Sequence, residues 1–248
     1  MKKYFLILLF ISANLHAQDF GFGCLGLVGG FAGYGIQTYQ TKGINDRVDF
    51  FNAKYKTSLN SSMKNFGQAA GFRFGINFFE QRFSGFNLSF NGFYQKLSEQ
   101  NKAIRDSVHI EIAKTFEMKI TTFGLGVDFG THITEILNWK ILKVAITYSQ
   151  ADFIESEDRP GELTKKDDYK SKKANIGYSL STGFVVYLIG NYISLEGSAG
   201  YNLFHFQQLQ KDDGTVLTVD EQSSLQMPVA IDNGGLAGSI QLNFNFPL

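Results

Sequence analysis

The chain has 248 residues, with 23 Lys and Arg against 23 Asp and Glu. It is 44% hydrophobic and 19% charged, which excludes a disordered or low-complexity polymer. A single Cys excludes an internal disulfide, and the balanced charge gives no basis for binding nucleic acid.

The N-terminus reads as an export signal. Lys2 and Lys3 precede an apolar run from Tyr4 to Ile11, and Leu15-His16-Ala17 offers a small residue before a cut. The run is too short to span a bilayer, so residues 1–17 are expected to be a signal peptide cleaved after Ala17. Cys24 follows Asp19-Phe20-Gly21-Phe22-Gly23, which is too polar and bulky for a lipidation site, and is expected to be a small strand residue. Loss of Lys2 and Lys3 leaves 21 basic residues against 23 acidic ones.

Beyond residue 18 the dominant signal is alternation with period two. The Gly-rich segment Leu25 to Thr38 is the expected first strand, with ambiguous parity. Phe72, Phe74, Ile76 and Phe78 alternate with Arg73, Gly75 and Asn77. Phe86, Leu88 and Phe90 alternate with Asn87, Ser89 and Asn91, and Phe123 to Phe129 with Gly124, Gly126 and Asp128. Leu142 to Tyr148, Ile176 to Val186, Ile193 to Leu203 and Leu236 to Leu248 repeat the pattern. That makes eight strands, with ten still admissible. Short turns lie near 82–85, 131–138 and 190–191. Long connections are expected at about 39–65, 95–107, 153–172 and 207–233. Short turns on one side and long loops on the other match an eight-stranded antiparallel up-and-down transmembrane β-barrel.

The non-apolar faces favour a membrane barrel over a soluble one. They carry Gly, Ser, Asn, Thr and Ala rather than the Lys and Glu that a water-facing wall needs. Of the 44 charges beyond residue 17, 32 fall in 46–64, 96–119, 155–173 and 211–221. A charge on the lipid face at the midplane costs roughly 2–4 kcal/mol, so strands cleared of charge are expected. Aromatics gather at both ends of the strands, as at bilayer interfaces.

Several constellations are candidates for function. Arg73, Asp128, Lys143 and Glu196 fall on predicted inner faces and form a candidate lumen charge network. Asp128 and Lys143 flank one short turn and should lie close together. Ile44, Val48, Phe51, Tyr55 and Leu59 recur at helical spacing in the first loop, with Asn45 or Asp46 as the expected cap. The fourth strand is expected to reach back toward Val108. Its apolar parity changes from even, at Ile112 to Ile120, to odd at Phe123, which predicts a β-bulge near Thr121-Thr122. Asp213-Gly214 reads as a hairpin tip. His109, His132 and His205 have no Ser at hydrolase spacing, and nothing has metal-ligand spacing.

The signal ending Ala17-Gln18, the Gly-rich opening strand and the aromatic closing strand Gly238 to Leu248 resemble small outer-membrane β-barrel proteins of the Bacteroidota. Leu242, Phe244 and Phe246 are similar to the signal read by the barrel-assembly machinery, although the chain ends Pro247-Leu248 rather than on the aromatic. The expectation is therefore a non-enzymatic outer-membrane protein without cofactor or metal. Its loops would bind an extracellular or envelope protein partner or support envelope integrity. Its other partners are outer-membrane lipid and the assembly machinery. A narrow passive channel and a membrane-embedded lipid-modifying enzyme are the alternatives.

Overall fold

A computed structural model of the chain describes residues 29–83, 85–107, 110–190, 192–220 and 230–246. The expected signal peptide, Cys24, His109 and the end Pro247-Leu248 lie outside the described residues. The elements run β1 (Gly29–Thr38), α1 (Lys42–Lys54), β2 (Leu59–Ser61), β3 (Gln68–Phe83), β4 (Phe86–Ser107), β5 (Ile110–Thr134), β6 (Leu137–Asp158), β7 (Lys165–Ser171), β8 (Asn175–Ile189), β9 (Ile193–Leu203), β10 (Leu209–Gln210) and β11 (Leu236–Asn245).

Eight strands close a ring in the order β1, β3, β4, β5, β6, β8, β9, β11. Each is antiparallel to the next, and β1 meets β11 from Gly29↔Asn245 to Gln37↔Ala237. Closure satisfies the ladder groups that an open sheet would leave at its edges. Among the described residues no helix is long and apolar enough to cross a membrane.

The ring is apolar outside and polar inside. Phe72, Phe123, Leu125, Ile146, Ile176 and Ile240 are exposed on the outer wall, Phe72 at 73%. Asn91, Gln95, Asp128, Ser194, Glu196, Gln241 and Asn243 are buried within it. The structure also resolves the parity of β1. Tyr34 and Ile36 point out, while Phe31 and Gln37 point in.

Above the outer row Phe74–Tyr94–Phe123–Tyr148–Ile176 the wall changes character. Lys96, Thr121 and Gln150 form the next row, then Ser98, Lys119, Asp152 and Lys170. Here β4, β5 and β6 continue beyond the ring, joined by β2, β7 and β10. Most of what was expected as long connections is thus regular structure. Residues 95–107 belong to β4, 153–158 to β6 and 165–171 to β7, while 39–65 contains α1 and β2. The tip at Asp213-Gly214 joins paired segments, with Lys211 N–H donating to Thr215 O at 2.8 Å. Gly214 has φ +87°, which a side chain would oppose.

No bulge lies at Thr121-Thr122. Pairing of β5 with β4 runs without a shift from Ser107↔Ile110 to Phe86↔Thr131, and with β6 from Ala113↔Asp158 to Phe129↔Leu142. Ile112, Phe116, Met118 and Ile120 point inward just as Gly124, Gly126 and Asp128 do. The strand keeps its parity and the surroundings change. Inside the ring the interior is polar and the exterior apolar. Above it the interior is an apolar core and the exterior is charged. Register shifts lie elsewhere, among them those in β3 between Asn77 and Phe79 and in β6 between Lys140 and Lys143.

The upper core contains Ile44, Val48, Leu97, Phe116, Met118, Ile120, Phe153, Phe206, Leu209, Leu217 and Ile231, among others. Helix α1 contributes Ile44 and Val48, both fully buried, with Phe51 packed beside them. Tyr55 is the residue that ends the helix, and Leu59 lies in β2. The helix starts earlier than expected, at Lys42, with Thr41 in the capping position; Thr41 Oγ1 donates to Ala230 O instead of capping. Asn45 is free for another task. Its amide brackets Phe66, donating to the carbonyl at 3.0 Å and accepting from the N–H at 2.7 Å. Asn52 brackets Met63 in the same way, at 2.8 and 2.9 Å. Two asparagines one heptad apart therefore fasten α1 to the returning chain.

Candidate functional site

Three layers fill the axis of the molecule. The lowest is an ion cluster. Lys140 Nζ lies 2.8 Å from Asp128 Oδ2 and 2.9 Å from Glu196 Oε2. Lys143 Nζ pairs with Glu196 Oε1, and Asn243 Nδ2 donates to Glu196 Oε2 at 3.3 Å. Asp128 is 4% exposed and Glu196 1%. Buried charges are tolerated only when paired and hydrogen-bonded, and this cluster meets that demand.

Of the expected network, Asp128, Lys143 and Glu196 come together and Arg73 does not. Asp128 and Lys143 are direct register partners, yet the Asp128 carboxylate pairs with Lys140. Lys140 was missed because it shares parity with the outward-facing Leu142 and Val144. The bulge between Lys140 and Lys143 adds a residue to β6 and turns both ammonium groups inward. No sequence signal marks that bulge.

Arg73 belongs to the middle layer. Its guanidinium lies 3.7 Å from the Phe93 ring centroid and 5.7 Å from that of Phe31, and Nη1 donates to Gln95 Oε1 at 3.3 Å. Phe31, Phe93 and Ala145 form a small apolar cluster inside the ring. Glycines make room for it. A Cβ on Gly124 would sit 2.2 Å from the Phe93 ring, and one on Gly75 would sit 2.4 Å from the Phe31 ring. Gly124→Val should therefore destabilise the barrel by about 1–3 kcal/mol. Urea titration in lipid vesicles checks this, and adding Phe93→Ala should restore most of the loss. A Gly124→Val midpoint equal to wild type would remove the close-packing argument.

The top layer is the apolar core, locked by a buried ion triad. Arg47 reaches from α1 to Glu155 on β6, with Nη2 2.8 Å from Oε2 and Nε on Oε1. Lys114 Nζ approaches the same carboxylate at 3.3 Å from β5. Arg47 Nη1 also donates to Thr218 O at 2.7 Å. Glu99 supports the neighbouring turn, where Oε2 accepts from Gly67 N, Gln68 N and Tyr39 Oη at 2.7–2.9 Å. Neither carboxylate is legible in the sequence, since only the closed ring brings β6 beneath α1.

The rim is held by Lys211 and Asp167, 2.5 Å apart between the Asp213-Gly214 hairpin and β7. Burial pushes the Asp167 carboxyl up, but the Lys211 hydrogen bond and charge outweigh it and hold the group below 3.8. A depressed folded-state value gives a contribution that is present above the ordinary value and is lost as pH falls through the folded one. Protection against hydrogen exchange in residues 209–217, taken relative to the intrinsic rate at each pH, should therefore fall as the pH drops below the ordinary carboxyl range. Lys211→Met should abolish that acid dependence; its persistence in the variant would assign it to another group.

His132 is exposed on β5 near the short turn. His205 Nδ1 lies 3.1 Å from Asp232 O. Among the described residues no group of three or more His, Cys, Asp and Glu side chains is placed to hold a metal.

No family model and no curated protein matches the chain. Among solved structures, Ail, the attachment invasion locus protein of Yersinia pestis, is 10% identical over 89% of this chain and 98% of its own, with a TM-score of 0.41. Neisserial surface protein A is 12% identical over 88% and 96%, also at 0.41. The outer membrane protease OmpT from Escherichia coli is 8% identical over 89% and 94%, at 0.34. Likeness at this level carries nothing about activity.

Proposed function

We propose that the chain is an integral outer-membrane protein with a closed lumen, and that its projecting cap binds a partner at the cell surface. Insertion is supported by the apolar outer wall. On β5 it runs from Phe123 to Ile133, ten residue steps or about 33 Å along the strand and roughly 25 Å at barrel tilt. That matches the apolar band of a barrel in an outer membrane.

The observation that carries the binding reading is the division of labour along the axis. The ring is filled by an ion cluster and an Arg-aromatic layer, and a packed apolar core closes its mouth. A passive channel needs none of this. The cap, in contrast, is held rigid by the triad, the Asn45 and Asn52 brackets and the Glu99 cradle, and rigid surfaces bind with less loss of entropy. At its far end the β6–β7 turn presents Leu163, 96% exposed. This exposed, projecting tip is therefore the place at which to probe for the contact.

Two measurements test this. In planar bilayers the folded protein should give no single-channel steps, and steady conductance would revive the channel reading. A photo-crosslinker at position 163 on whole cells should capture a discrete surface partner, while one at Ile136, on the opposite short-turn side, should not. Equal yields from both sites would sink the cap as the binding element.

A further inference from the structure

The apolar outer wall is not smooth. On the row below Phe74–Tyr94–Phe123–Tyr148–Ile176 stand Ile76, Gly92, Leu125, Ile146 and Tyr178. Gly92 leaves this row without a side chain between Ile76 and Leu125. The result is a groove of about 630 Å³ bordered by Phe78, Tyr94, Phe123, Leu125 and Tyr148.

The charge above this groove is one-sided. Lys96 follows Tyr94 by one step on the same face and is exposed; its charge acts on Asp152, but the two make no direct ion pair within 4.0 Å. Lys119 lies diagonally across on β5, and Lys170 lies opposite Asp152 on the same row. Lys119 is bonded to Glu117 at 2.9 Å, and Lys170 has a loose contact with Asp212, so Lys96 is the cation left for a ligand. Asp152 is the one acid on these two rows, set against three lysines. A second apolar groove, of about 760 Å³, lies on β1, β3 and β11 between Tyr34, Phe72, Ile240 and Leu242. Above it β1, β3 and β11 carry Thr38, Ala70 and Leu236, and the nearest lysine is again Lys96, beside the border residue Phe72 on the neighbouring strand β4.

We propose that the β3–β6 sector holds one anionic, phosphate-bearing lipid of the surrounding leaflet. An acyl chain lies in the Gly92 groove, and the phosphate rests on Lys96 with Lys119 and Lys170 behind it. This inference rests on the membrane reading. The occupant follows from its two ends. A chain-shaped apolar groove takes hydrocarbon, and an unpaired ammonium one step above an aromatic border takes an interfacial anion. The groove on β1, with Lys96 only at its far edge beyond Phe72, should take hydrocarbon with a weaker preference for charge.

The test uses the full mature chain in nanodiscs of phosphatidylcholine, with or without phosphatidylglycerol, followed by native mass spectrometry. One phosphatidylglycerol should remain on the wild-type barrel. Lys96→Gln should weaken retention about tenfold, the loss of one charge-assisted contact. Gly92→Leu should abolish it by filling the groove, since the nearest obstacle to a Cβ there is the movable end of the Phe78 ring at 2.8 Å. Ala32→Leu, in the other groove, should change nothing. Inorganic phosphate added to phosphatidylcholine discs should leave no adduct. Retention unchanged in both Lys96→Gln and Gly92→Leu overturns the site, as does equal loss in Ala32→Leu. A phosphate adduct without lipid would show a free-anion site instead. If the protein enters no disc and shows no heat-dependent shift in SDS gel mobility, the membrane reading itself falls and takes this site with it; insertion without selective retention removes the lipid site alone.

Discussion

Glu155→Ala will detach α1 from the cap while leaving the barrel intact. The carboxylate is 1% exposed and serves two cations, Arg47 and Lys114. Its removal leaves both in a low-dielectric interior beside Phe116. Breaking a buried ionic group from one side costs about 3–5 kcal/mol, more than the contribution of most single side chains. The loss should appear locally. Hydrogen exchange and protease cleavage should rise across residues 42–66, while the heat-dependent shift in SDS gel mobility is kept. An apolar replacement of the triad, Arg47→Met with Lys114→Met and Glu155→Leu, should recover much of the protection, because nothing charged is then left buried. Unchanged exchange in Glu155→Ala would mean that the Asn45 and Asn52 brackets hold α1 alone. If the cap is the partner-binding element, crosslinking at position 163 should fall in the same variant.

Glu196→Ala is the corresponding experiment inside the ring. Glu196 receives Lys140 and Lys143, and among the described residues no other acid contacts Lys143. The expected cost is again about 3–5 kcal/mol, read as a lower urea midpoint for folding into vesicles. Asp128→Asn should cost less, because Lys140 keeps its contact with Glu196 at 2.9 Å. The order of the two variants is therefore informative. Equal midpoints for Glu196→Ala and wild type would show that water reaches the cluster and screens it. Loss of midpoint together with new conductance would show that the cluster also seals the lumen. The Arg73–Phe93 layer above it predicts no conductance, since Phe31, Phe93 and Ala145 still occupy the axis.

The two carboxylates play one role in two settings. Each is a nearly inaccessible anion between two cations, from α1 and β5 for Glu155 and both from β6 for Glu196, and each fixes the register of the parts it joins. Glu155 joins α1 to β5 and β6. Glu196 joins β9 to β6 across a bulge. The sequence reading found Glu196 because inward parity on β9 can be counted along a regular strand. It missed Lys140, since a bulge breaks the count, and it missed Arg47 and Glu155, since 108 residues separate them.

The sequence by itself marked eight alternating strands and the contrast between their two faces. Each of these is a local property: side chains on a strand alternate with period two, and lipid excludes charge from one face wherever it touches. The loop-one helix was legible for the same reason, from the spacing of Ile44, Val48 and Phe51. Only the tertiary structure decided what each face meets. Ile112 to Ile120 and Gly124 to Asp128 share one face of β5, yet their hydropathy is opposite, because the medium inside the sheet changes from packed core to polar lumen. A one-dimensional pattern records the contrast between faces but not which medium lies on which side. Read alone, that reversal is indistinguishable from a bulge. Ring closure, the docking of α1 and the residue inserted between Lys140 and Lys143 supply the missing information, and all three depend on contacts between residues far apart in the chain.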